Sequence, residues 1–162
     1  MYISKWWGDL IGGSDDSLIL IDYLEQSDLT DVTLNHILKD FGFDILLSEG
    51  DLKKGGNIGF DRRSANGMFR VEIDIACSAL IDLSAIVLES LKSGYVDLHD
   101  LDEARQSRKL YIDASDETRN QLRDELNKFS RHPLSYDLAK LVPADDMRKL
   151  AEQAKMIADE LL

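Results

Sequence analysis

The sequence predicts a mainly α protein: a single-domain helical bundle over residues 1–162, with room for one short strand or hairpin near residues 58–75. Three observations carry this expectation. Apolar residues recur at helical spacing in several separate segments. Residues that cap helices precede most of those segments, and glycine or proline follows them. The chain has 162 residues, 44% of them apolar, which is enough for one core, and it holds no linker long enough to divide it.

The first helix is expected to start near Asp15, because Ser14 can accept the free amides of a first turn that Asp15 and Asp16 complement electrostatically. A second helix follows, with Thr30 or Asp31 as its cap. Leu34, Ile37, Leu38 and Phe41 form its core stripe, and Gly42 closes it. Residues 52–67 carry four glycines and little periodicity and read as a loop. Beyond them two periods compete. Phe69, Val71, Ile73 and Ile75 alternate as in a strand, whereas Ile75, Ala79, Leu83 and Ile86 continue at helical spacing. A long buried helix over 73–93, ended by Gly94, is the favoured reading, and a short strand over 69–75 is the alternative.

Asp100, Leu101, Asp102 and Glu103 fit the cap of a shorter helix. Ser115 then caps a helix that turns Leu122, Leu126 and Phe129 inward and stops before Pro133. Pro143 opens the last helix, in which Met147, Leu150, Ala151, Ala154, Ile157, Ala158 and Leu161 face the core. The single cysteine, Cys77, lies within an apolar run and reads as a buried, inert thiol.

The formal charge is −12, which points away from nucleic acid as a direct partner. The acid excess is segregated: residues 9–51 hold eleven acids against Lys39 alone, and residues 71–104 hold eight against Lys92. Residues 105–162 balance acids with bases, while Lys53, Lys54, Arg62 and Arg63 make the glycine-rich segment basic. No apolar run approaches the roughly 18 residues of a membrane span, and the first residues lack the pattern of a secretory leader. A cytoplasmic protein without a membrane partner is therefore expected.

Motifs for chemistry are scarce. His36, His99 and His132 form no metal-ligand pattern, and the glycines at 55, 56 and 59 lack the spacing of a phosphate loop. Neither a nucleophile elbow nor a cofactor motif is present, so no catalytic residue, metal or cofactor is expected. Asp74, Asp82 and Glu89 fall near one face of the proposed central helix and could hold magnesium for nucleotide or phosphate hydrolysis if a second acidic helix approached. Their simpler reading is the solvated stripe of a half-buried helix. A generic helical adaptor is the other alternative.

An acidic face with few catalytic groups suits a protein that binds a basic partner. Trp6 and Trp7 add to this, because adjacent large aromatics on a short segment do not readily both enter one core, and Trp7 is assigned to the contact surface. The largest local excess places Asp15, Asp22, Glu25, Asp28 and Asp31 beside it as partner-binding residues. The rival faces are Asp74, Asp82 and Glu89, or the acidic turn at 97–103.

Trp6-Trp7-Gly8-Asp9, then Gly12-Gly13-Ser14-Asp15-Asp16-Ser17-Leu18, and later Val71-Glu72-Ile73-Asp74-Ile75-Ala76 resemble the small helical immunity proteins of bacterial polymorphic-toxin and contact-dependent growth inhibition systems. The likeness spans about the first 100 residues and carries over no toxin-contacting residue. It implies a role: binding and blocking a co-encoded protein toxin, often a basic nuclease, in the cytosol of the producing cell.

Overall fold

The long apolar run after residue 75 becomes the centre of the molecule. In the computed structural model, which describes residues 1–26, 31–49, 52–54 and 58–162, α4 (Ala76–Ser93) is buried along nearly its whole length. The N-terminal turn, helices α1 (Asp15–Gln26), α6 (Asp116–Arg131) and α7 (Ala144–Glu160), and two of the sheets pack around it. The buried apolar side chains form one continuous core.

Helices α1, α2 (Leu34–Phe41), α6 and α7 lie where their stripes place them. Ser115 Oγ accepts from Thr118 N, Pro143 stands just ahead of α7, and Gly42 ends α2 at φ +87°, a conformation that suits glycine. A seven-residue helix α3 (Phe43–Glu49) follows directly.

The expectation of a helical bundle is corrected, because three small sheets join the helices. Strands β1 (Trp7–Asp9) and β2 (Ile11–Gly12) form a tight pair at the N-terminus. In the second sheet, β7 (Lys109–Asp113) runs between β3 (Asp31–Thr33), parallel to it, and β6 (Val96–Asp97), antiparallel. These strands have two to five residues and pair across long stretches of chain, so no local periodicity announces them. In the third, β4 (Ile58–Ser64) and β5 (Gly67–Ile73) form an antiparallel hairpin in unbroken register from Ile58↔Ile73 to Ser64↔Gly67.

Four boundaries move as a result. Thr33 rather than Thr30 or Asp31 caps α2, its hydroxyl accepting from His36 N at 3.1 Å, and Asp31 belongs to a strand. The segment read as a loop over 52–67 holds the first strand of the hairpin. Glycine-rich flanks hid a run, Ile58 to Phe60, that is buried at its base. The alternation at 69–75 is β5, so α4 begins at Ala76 instead of residue 73. Finally, Asp97 caps the short helix α5 (Leu98–Leu101), and Asp100 to Glu103 lie at its end, not its start.

Candidate partner-binding surface

The acids of α4 come first because their placement overturns an expectation. Asp82 and Glu89 are 1% and 3% exposed, so they are no solvated stripe. Two turns apart on one side of the helix, they clip the N-terminal segment to it. Asp82 accepts from Gly12 N at 2.8 Å and from the Ser17 hydroxyl at 2.5 Å, and Glu89 accepts from Ile3 N at 3.0 Å and from the Ser93 hydroxyl at 2.9 Å. Ser90 continues the pattern, its Oγ accepting from Ile112 N of β7 at 2.8 Å. Each carboxylate satisfies main-chain donors that would otherwise be orphaned in the core.

Burial pushes the Asp82 carboxyl up to about 7, with nearby Asp16 adding to the rise and the two hydrogen bonds opposing it. Asp74 lies before the helix and is exposed. The proposed magnesium set therefore does not assemble. Among the described residues no group of three His, Cys, Asp or Glu side chains is placed to hold a metal. Asp16, also buried, accepts from Asp74 N and Ile75 N, both at 2.9 Å, and so ties the chain just ahead of α4 to α1. Cys77 is buried, and desolvation raises its thiol to about 12.

Helix α1 presents a different kind of acid. Asp15, Leu18, Asp22 and Glu25 follow one another at three- and four-residue steps along its outer stripe, with Leu18 exposed between carboxylates. Arg105 reaches this stripe from the loop after α5. Its guanidinium pairs with Asp22, with Glu25 at 3.3 Å and with Asp102 at 3.0 Å. Arg108 donates to the Glu25 carbonyl, and Arg62 of the hairpin stands 3.7 Å from Asp22. A groove of about 700 Å³ runs between α1 and this loop, lined by Leu18, Glu25, Leu98, Ala104 and Arg105.

The residues assigned to partner binding thus separate into groups. Asp22 and Glu25 are brought together around Arg105, and Asp15 extends their stripe without an ion partner among the described residues. Trp7 is half-buried: its indole N–H donates to the Leu101 carbonyl at 2.9 Å, and its ring covers Gly12, where a Cβ would come within 2.4 Å of the ring. Trp6 is buried beneath Lys5, whose ammonium lies 4.2 Å from the ring centroid. Both tryptophans are therefore held by their own chain. Asp31 sits on the open face of the second sheet, exposed beside Tyr111. Asp28 lies outside the described residues.

In the rival acidic turn, Asp97 is committed to Ser107, His99 N and Arg108 N, which together hold its carboxyl below the usual range against the opposing effect of partial desolvation. Asp100 and Glu103 are exposed there.

Sequence reasoning missed Arg105. Counting charge by segment placed it in the balanced stretch 105–162, and only its spacing from Asp102, three residues earlier, was visible locally. The hairpin was also missed as a companion to α1. Its base packs edge-on against that helix, with Phe60 5.4 Å from both Tyr23 and Phe41, and Tyr23 donates to Asp40 at 2.6 Å.

No helix among the described residues is long and apolar enough to cross a membrane. No curated protein and no solved structure matches the chain. A protein-family model described as immunity protein 68 does match, over residues 2–161, nearly the whole length. The chain belongs to the immunity protein 68 family.

Proposed function

We propose that this protein binds a cognate toxin and blocks it by occupancy, without chemistry of its own, in the cytoplasm of the cell that makes the toxin. The single observation that carries the reading is the family match across 2–161. The sign and sequence of the charge refine it. A body of net charge −12, with its largest excess in residues 9–51, favours a basic toxin and speeds encounter with it. Enzymes that cleave nucleic acid carry such basic clefts, because they must hold phosphate backbones.

The contact surface in this reading is the outer stripe of α1, Asp15 to Glu25, together with Asp31, with Trp7 and the Arg105 loop at its flank; Asp28 is included on its sequence assignment alone. Arg105 holds Asp22 and Glu25 in fixed positions, so the stripe meets its partner already ordered, which reduces the entropy lost on binding.

The test is direct. The toxin encoded next to this protein, made catalytically inert by mutation, is titrated with the purified protein in a calorimeter, and the active toxin is assayed with and without it. Stoichiometric binding with loss of toxin activity is the expected outcome. Turnover of nucleotides or phosphate esters by this protein alone, lost on Asp74→Asn, would favour the hydrolase reading instead.

A further inference from the structure

Beyond its buried base, the hairpin has no core beneath it. The rungs Ile58↔Ile73 and Phe60↔Val71 turn toward α1 and α2, but every residue from 63 to 70 is exposed. A two-stranded ribbon standing alone is marginal in water. This one also displays Met68 and Phe69, 61% and 46% exposed, on the two opposite faces of its outer end. Its cations are loosely held. Arg63 has no ion partner among the described residues, Arg70 meets Asp61 only at 3.7 Å, and Arg62 meets Asp22 at the same distance. Exposed pairs of that kind contribute little and re-form easily with another partner.

The register places Arg63 opposite Met68 and Asp61 opposite Arg70 on one face, and Arg62 opposite Phe69 on the other. Arginine, phenylalanine and methionine are the residue types enriched where proteins meet. Here they stand on a basic projection from a strongly acidic body, joined through Arg62 to the acidic stripe of α1. A partner surface that was basic throughout would be repelled at Arg63 and Arg70. One that carried an acidic, partly apolar patch beside its basic region would match both elements, and in one orientation only, since the reversed approach sets like charges opposite each other.

We infer that the distal half of the β4–β5 hairpin is a second contact element for the cognate toxin and docks on an acidic, partly apolar patch of its surface. The inference rests on the proposed immunity function and adds to it the patch that fixes the orientation of the complex. Phosphate backbones also attract arginine, but the surrounding negative field disfavours nucleic acid.

The experiment compares the full-length protein with Arg63→Glu/Arg70→Glu, with the charge-conserving Arg63→Lys/Arg70→Lys and with Met68→Ala/Phe69→Ala. Each is titrated against the inert form of the adjacently encoded toxin, and its thermal unfolding is recorded. A short DNA duplex and an RNA hairpin serve as further probes. Weakening by about tenfold or more is expected for both the glutamate and the alanine pairs at unchanged unfolding temperature, with most of the affinity retained by the lysine pair. Wild-type affinity in the glutamate and alanine pairs would overturn the inference and leave the immunity function standing. Binding of nucleic acid by the wild type that the glutamate pair abolishes would also overturn it. A wild-type protein that binds no toxin would remove the parent reading and this one together.

Discussion

The same residue types do opposite work in α4 and in α1. In α4, Asp82 and Glu89 are sealed in the core and spend their oxygens on Gly12, Ser17, Ile3 and Ser93. In α1, Asp15 is open to solvent and Asp22 and Glu25 are anchored at the surface by Arg105. The first pair belongs to folding, and the second set is available to a partner. What separates them is what lies over each helix. The N-terminal turn and β2 cover α4 with main-chain amides that demand acceptors, while among the described residues the ion partners that reach the outer stripe of α1 come from the Arg105 loop and one arginine of the hairpin. A count of acids along the chain cannot see this difference.

The sharpest way to break the comparison is to delete the buried acids. Glu89→Ala leaves the Ile3 amide without its acceptor, and Asp82→Ala does the same to Gly12 and Ser17. Each is expected to cost about 1–3 kcal/mol, measured by urea unfolding. We propose that residues 1–162 unfold as one unit, so the loss is expected in a single transition. A change no larger than that of an exposed acid would show that the clips do not matter.

A smaller effect separates the charge of Asp82 from its hydrogen bonds. Its folded carboxyl titrates near 7, against an ordinary value of 3.8, so the folded protein holds that proton more tightly than the unfolded chain. The associated stability is complete below about pH 4 and is lost as pH rises toward 7. Asp82→Asn keeps an acceptor for Gly12 and an N–H that can donate to Ser17, yet it cannot ionise. Relative to wild type, the variant is therefore expected to gain stability between pH 5 and pH 8, as followed by unfolding at a series of pH values. A difference independent of pH would mean that the carboxyl is not desolvated in the folded state.

These particulars show what the sequence could and could not convey. The stripes of α2, α6 and α7 were legible because each is amphipathic over two turns or more and carries a local cap or stop. The strands β3, β6 and β7 were not, since two to five residues cannot establish a period and their pairing is decided by chain segments far apart. The hairpin lay between these cases: its alternation was visible in β5, but the glycines around β4 read as loop. For the candidate surface, the stripe on α1 was legible from spacing. Its anchor was not, because Arg105 meets Asp22 only through tertiary folding, and neither was the use of Trp7 as a brace over Gly12.

The mildest substitutions fall on the open acids. Asp15→Lys combined with Asp31→Lys touches two exposed positions that have no ion partner among the described residues, and stability is expected to change by no more than about 0.5 kcal/mol for each. Asp22 and Glu25 are unsuitable for this purpose, because reversing them also releases Arg105.

That same double variant supplies the most direct test of the central claim, that this immunity protein meets a basic toxin through the acidic surface around α1. Its association rate with the inert toxin is measured by stopped flow at low and at physiological salt, beside that of the wild type. The account predicts a clearly slower rate at low salt and a weaker dependence on salt, because screening acts on exposed charges over about 8 Å at physiological ionic strength. Wild-type rates at both salt concentrations would contradict it and would place the interface elsewhere on the molecule.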